Sequence, residues 1–165
     1  METKEQQFMK AYKENADALF RYCYLRVSDR ELALDLLQNV CLNTWQFIQK
    51  GGVVNNMRSF LFTTAHNLVI DEYRKKKSVS LDAMRDEGFD VHNDKDNIVE
   101  DRIDGERAVA FLATIPKMYR EAIYMQYVEG LSVKEIAEIT GESENNISVR
   151  IHRGLQKLRS IMKQT

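Results

Sequence analysis

The sequence predicts an all-α protein made of two small helical domains joined by an acidic linker, on three observations. One proline and seven glycines in 165 residues leave the backbone few breaks. Apolar residues recur at spacings of three and four over long stretches, and no run alternates apolar with polar as a half-buried strand does. Charge marks the boundaries. The formal net charge of −1 conceals a neutral stretch over residues 1–50, +3 over 51–77, −7 over 78–106 and +3 over 107–165. Residues 1–77 and 107–165 are therefore read as helical domains. Residues 78–106 are read as the linker, because the run DEGFDVHNDKDNIVEDRIDGE has little periodicity and many like charges. A hydrophobic content of 44% is enough to give both domains a core.

In the first domain Phe8, Tyr12, Ala16, Leu19, Phe20, Cys23 and Tyr24 form a helical stripe that runs to about Val27. Ser28 or Asp29 then caps a second helix reaching about Gln49, with Leu32, Leu36, Leu37, Val40, Cys41, Thr44 and Ile48 at helical spacings. Gly51 and Gly52 end it, and residues 53–58 are expected to form a loop. A third helix is predicted from about Ser59 to Lys77, burying Phe60, Leu61, Leu68, Val69 and Tyr73 among others. Its basic end, Arg74-Lys75-Lys76-Lys77, suits a helix C-terminus and makes a cationic patch. Asn67, Asp71 and Arg74 share one polar face of that helix. Phe60, Phe62, Trp45 and Tyr73 read as core in preference to base-stacking platforms.

The second domain holds the stretch that says most, LSVKEIAEITGESENNISVRIHRGLQKLRSIM at 131–162. Ser132 and Glu135 form a capping box, and Val133, Ile136, Ala137 and Ile139 are expected to face inward. Gly141 supplies the backbone freedom a sharp turn needs, and Ser143 caps the next helix. On that helix Ile147, Ile151, Leu155, Leu158 and Met162 fall on one stripe. Asn146, Arg150, Arg153 and Lys157 fall on another, about 130° away. Asn145, Ser148, Val149, His152 and Gln156 lie between the two. Residues 144–163 carry five basic side chains against Glu144 alone, a surplus of +4 with no i,i+4 ion pairs to absorb it. Helix, turn and basic helix is the way a protein presents a helix to the DNA major groove, with phosphate as the partner of the excess charge.

Other functions find little support. There is no Walker loop, no metal-ligand cluster and no nucleophile constellation, so neither an enzyme nor a cofactor or metal is expected. Cys23 and Cys41 stand apart and read as buried reduced thiols. No stretch approaches the roughly 18 apolar residues of a membrane span, and METKEQQ lacks the order of a signal peptide. A cytoplasmic protein without membrane insertion is expected.

Three segments then converge: ALDLLQNVCLNTW (33–45), SFLFTTAHNLVIDEYRKKK (59–77) and IPKMYREAIYMQYVEGLSVKEIAEITGESENNISVRIHRGLQKLR (115–159). In order and spacing they resemble a bacterial RNA polymerase sigma factor of the extracytoplasmic-function group, in the sigma-70 family. The resemblance implies a region 2 helical bundle over 1–77 and a region 4 helix-turn-helix over 107–165. It implies promoter DNA and the polymerase core, through the clamp helices of its largest subunit and its flap, as partners, and leaves room for an anti-sigma factor. Asp35, Gln38 and Asn39, with Leu42 and Trp45 nearby, would dock on the clamp, where the family usually carries an acidic residue in place of Asn39. Loop 50–58 and the third helix would open the -10 element, with Asn67, Asp71 and Arg74 at DNA-facing positions. Ser148, Val149, His152 and Arg153 would read the -35 element, with Arg150 as a phosphate clamp or helix anchor and Asn145 and Lys157 on the same surface. Many relatives carry Lys or Arg where this chain has Ser148, and Leu155 replaces a common Arg. A stand-alone helix-turn-helix regulator is the alternative. It accounts for residues 131–162 but leaves the first domain without a purpose.

Overall fold

The computed structural model describes residues 1–79 and 110–164, which form two compact units; most of the predicted linker lies outside the described residues. Every regular element among the described residues is helical.

The first unit is a bundle of α1 (Lys4–Val27), α2 (Arg30–Gln49) and α3 (Met57–Val79), each packed against the other two. Helix α1 opens on a capping box between Thr3 and Gln6. It closes on Ser28, whose φ of 54° is the left-handed conformation of a helix C-cap, with its N–H donating to the Tyr24 carbonyl. Asp29 follows at once as the N-cap of α2, accepting from the Leu32 N–H at 3.1 Å. The two residues the sequence offered as alternatives thus cap different helices. Leu19, Tyr22, Cys23, Ala33, Val40, Leu61, Phe62, Ala65 and Val69 are fully buried between the helices.

Several boundaries and burials differ from expectation, among them Leu68 and Tyr73, which are half-buried where the sequence placed them in the core. The loop after α2 stops at Asn56, whose side chain accepts from the Ser59 N–H at 3.1 Å, so α3 starts two residues early. Helix α3 runs on to Val79, past the basic run, with Ser78 Oγ donating to the Lys75 carbonyl. Phe60 is only half-buried and stacks on Phe47 at 4.9 Å, whereas Phe62 is the sealed residue. Because α3 touches both α1 and α2, a wider arc of it is buried than one amphipathic stripe provides.

A polar cluster that periodicity did not reveal ties α1 to α3. The buried Arg26 lies over the Tyr22 ring, 3.6 Å from its centroid, a cation–π contact shielded from water. The Tyr22 hydroxyl is 2.9 Å from His66 Nδ1, and the Tyr73 hydroxyl donates to the Arg26 carbonyl at 3.0 Å.

The cysteines divide in a testable way. Cys23 is buried, and burial pushes its thiol up to about 11; Cys41 is half-buried, with its thiol also raised by burial. Cys41 therefore departs from the expected sealed thiol. In the native protein a thiol reagent at pH 8 is expected to modify Cys41 alone, with Cys23 reacting only on unfolding. Mass spectrometry of native and denatured samples checks this; native labelling of Cys23 at a comparable rate would refute it.

In the second unit α4 (Lys117–Ile123) continues into a π-helical turn at Tyr124–Val128, followed by α5 (Val133–Thr140) and α6 (Glu144–Lys163). The Tyr124 hydroxyl donates to the buried Glu129 carboxylate, and the Leu131 N–H reaches the Met125 carbonyl at 3.0 Å. Ser132 and Glu135 form the expected capping box. Gly141 takes a φ of 74°, which only glycine adopts without steric penalty, and Ser143 Oγ accepts from the Asn146 N–H at 3.1 Å. Ile136, Ala137 and Ile139 are buried as predicted, and Val133 is half-buried. On α6, Ile147, Ile151 and Gly154 are buried, Leu155 and Leu158 are half-buried, and Met162 is 55% exposed. The predicted stripe is too long at its C-terminal end. The 20-residue α6 rests on helices of seven and eight residues, so at about 1.5 Å per residue its last turns outrun their support.

Candidate nucleic-acid interface

The local chemistry of the turn fixes how α6 presents itself. Its N-terminus is held by the Ser143 cap and its underside by Ile147 and Ile151. Gly154 lets it approach α4 closely, since a Cβ there would lie 2.5 Å from Ile123 Cδ1 and 3.0 Å from Tyr119 Cβ. Asn145, Ser148, Val149, His152, Arg153 and Lys157 are all exposed on the outer side. They form one continuous polar face with an apolar contact at Val149.

The cations of α6 are not equivalent. Arg153 is exposed and points outward. The Lys157 ammonium lies 5.8 Å from the Tyr119 ring centroid, a loose contact that leaves its charge in solvent. Arg150 is half-buried, with Nη2 donating to Glu142 Oε1 at 2.7 Å and Nη1 paired with Oε2. The surplus of +4 was reckoned over a window that begins at Glu144 and so missed this carboxylate. With Glu142 included, the net charge over residues 142–163 is +3.

In the first unit Asn67, Asp71 and Arg74 lie exposed along α3, as the sequence placed them. Arg74 Nη1 is 3.7 Å from Asp71 Oδ1, with the side chains 77% and 60% exposed. Such a solvent pair contributes at most about 1 kcal/mol, so a phosphate can displace it. On α2 the residues Asp35, Gln38, Asn39 and Leu42 face outward. Trp45 does not join them fully: it is half-buried and stacked on Phe8, 5.4 Å between ring centroids. Leu34 and Phe47, each 41% exposed, add apolar surface to the same helix that the sequence reading did not single out. The signal for Leu34 was available, because Leu34, Gln38 and Leu42 run at i, i+4 and i+8 off the core stripe. Gly52 sits tight against the Phe47 ring, 2.3 Å from where its Cβ would be, which anchors the start of the loop into α3.

Residues 11–79 match the family model described as sigma-70 region 2, and residues 106–158 match that for sigma-70 region 4. RNA polymerase sigma factor SigZ of Bacillus subtilis is 30% identical over 144 residues, covering 86% of this chain and 78% of that protein. This chain is a sigma-70 family sigma factor. It falls in the extracytoplasmic-function (ECF) group. ECF RNA polymerase sigma factor SigL of Mycobacterium tuberculosis is 28% identical over 154 residues, covering 93% of this chain and 87% of that one. The sigma factor RpoE of Bartonella quintana, solved with the anti-sigma factor NepR, superposes with a TM-score of 0.73 at 21% identity, over 95% and 97% of the two chains. CnrH, solved with the cytosolic domain of CnrY, gives 0.64 at 18% identity, over 98% and 90%. These two likenesses speak for the fold. The region 2 match favours a sigma factor over a stand-alone helix-turn-helix regulator, which would have no use for the first unit. Among the described residues of this sigma factor no helix is long and apolar enough to cross a membrane, and no group of His, Cys, Asp or Glu is placed to hold a metal.

Proposed function

We propose that this sigma factor directs RNA polymerase core to specific promoters and promotes the melting that starts transcription. The observation that carries the reading is the presence, in one chain, of both sigma-70 regions, each with an exposed polar face on the helix the family would use. In the first region α2 offers Asp35, Gln38, Asn39 and Leu42 to the clamp helices of the polymerase, with Trp45 supporting them from the seam with α1. Helix α3 offers Asn67, Asp71 and Arg74 to the opened strand. In the second, α6 lays Asn145, Ser148, Val149, His152 and Arg153 along the edges and phosphates of the -35 element, with Lys157 adding charge farther along. Residues 1–77 and 107–165 divide these duties, with 78–106 as the link. The chain acts through binding and not through an enzymatic reaction of its own, takes no cofactor, works in the cytoplasm and is open to capture by an anti-sigma factor. Transcription by purified chain plus core polymerase on a promoter library, with the starts sequenced, tests the whole. Failure to initiate anywhere above core alone would reject it.

Two variants test the division of labour. Changing Asp35 and Gln38 together to Ala should weaken core binding at least tenfold while leaving thermal stability within about 0.5 kcal/mol, because both side chains are exposed. Core binding at full strength would remove that face from the polymerase interface. Asn67→Ala should leave promoter recruitment intact yet lower open-complex formation several-fold, since its contact is made only after the duplex opens. Permanganate reactivity measured beside a binding assay separates the two steps, and normal melting would clear Asn67 of the role.

A further inference from the structure

The turn between α5 and α6 contains an ion pair that bears on which of the two roles left open for Arg150, phosphate clamp or helix anchor, it takes. Glu142 lies between Gly141 and the N-cap Ser143. Its N–H donates to the Ala137 carbonyl at 3.1 Å, which fixes its backbone to the last turn of α5. Its carboxylate receives both terminal nitrogens of Arg150, so one residue grips α5 by its backbone and the second turn of α6 by its side chain.

We propose that Arg150 is a positioning residue of the reading helix, locked by Glu142, and does not contact DNA phosphate. The inference rests on the assignment of α6 as the promoter-reading helix.

Geometry and charge agree on it. At about 100° per residue, Arg150 lies roughly 70° from the centre of the stripe formed by Ile147, Ile151 and Gly154, whereas His152 and Arg153 lie roughly 130° away on either side. Arg150 is thus on the shoulder of α6. There it lines a cleft of about 320 Å³ with Lys117, Glu121, Thr140 and Ile147, residues of α4, α5 and the underside of α6. The Arg150 and Glu142 side chains are 26% and 32% exposed, so the pair is partly screened from solvent. Pulling Arg150 away to a phosphate would strand a half-buried carboxylate beside a polyanion, an arrangement that opposes binding. Leaving the pair closed keeps Glu142 neutralised and holds the angle between the two helices of the motif.

The test uses the full chain assembled with core polymerase on a promoter duplex, with affinity measured across a salt series. R150Q and E142Q should each weaken binding about three- to tenfold, and the double variant should be no worse than either single, as members of one contact pair behave. The charge reversal E142R with R150E should restore affinity to within about twofold. None of these should alter the slope of log affinity against log salt. Loss of one phosphate contact flattens that slope by about 0.9. Should R150Q flatten the slope by that amount while E142Q tightens binding, Arg150 is a phosphate ligand and the proposal is overturned. It is overturned equally if none of the variants at 142 and 150 changes affinity. Where R150Q loses helicity, the reversed pair carries the decision, because rescue there requires the partners to meet. R153Q serves as the control on the underlying assignment. If it changes neither affinity nor slope, α6 is not the reading helix, and the role given to Arg150 falls for that separate reason.

Discussion

Gly154→Leu is expected to destabilise the C-terminal unit strongly while leaving the three-helix bundle at its parent stability. A glycine inside a helix is less favourable than alanine by up to about 1 kcal/mol, so its place in the middle of α6 needs a reason, and the approach of α4 supplies one. A Cβ at 154 meets Ile123 Cδ1 at 2.5 Å and Tyr119 Cβ at 3.0 Å. The first is the far end of a side chain and can swing aside; the second is fixed to the backbone and cannot. A leucine adds three further carbons and must push the helices apart, uncovering Ile123, Ile147 and Ile151. A penalty of about 3 kcal/mol is expected for such overpacking, equivalent to roughly 10–20 °C in the melting temperature of a domain this small. The single tryptophan makes the result readable. Trp45 belongs to the other unit, so its fluorescence transition should stay in place while part of the far-UV ellipticity melts early. A variant whose ellipticity melts as in the parent protein would show that the contact of α4 and α6 is loose.

Phe62→Ala should produce the mirror image. Phe62 is fully buried and meets Tyr22 edge to face, with ring centroids 5.5 Å apart and planes at 89°, an arrangement aromatic quadrupoles favour. Truncation removes most of a large core side chain and leaves a cavity flanked by α1, at an expected cost of about 3–5 kcal/mol. Here the Trp45 transition should shift down strongly, and the helices after residue 116 should hold their structure. On the assignment proposed above, in which Asn67, Asp71 and Arg74 of the same helix meet the opened strand, strand opening should fail along with the bundle, whereas -35 binding by the C-terminal unit should persist. Retention of the Trp45 transition within a few degrees would place the core of the bundle elsewhere.

The sequence disclosed what is local and concealed what is not. The Ser132 box, the Gly141 turn and the Ser143 cap depend on neighbours three or four residues apart, and the structure shows all three. The exposure of Ser148, His152 and Arg153 likewise follows from helical period alone. The cluster of Tyr22, Arg26, His66 and Tyr73 joins residues more than 40 positions apart, and no spacing rule could announce it. Burial of Phe62 in preference to Phe60 depends on α3 having two neighbours. The half-burial of Trp45 depends on Phe8, on a different helix. The case of Arg150 is subtler: its partner stands only eight residues away, but in the turn, where a count confined to the helix did not look.

Along α6 the positions that pack and the positions that face outward are disjoint. Ile147, Ile151 and Gly154 are sealed; Asn145, Ser148, Val149, His152 and Arg153 are bare. Exchanges at bare positions usually move stability by no more than about 0.5 kcal/mol. On the assignment proposed above, such a chain can be readdressed without being refolded. A duplicated copy can drift to a new set of genes one side chain at a time, each step remaining a folded protein, and an engineer can follow the same route with a library confined to five codons.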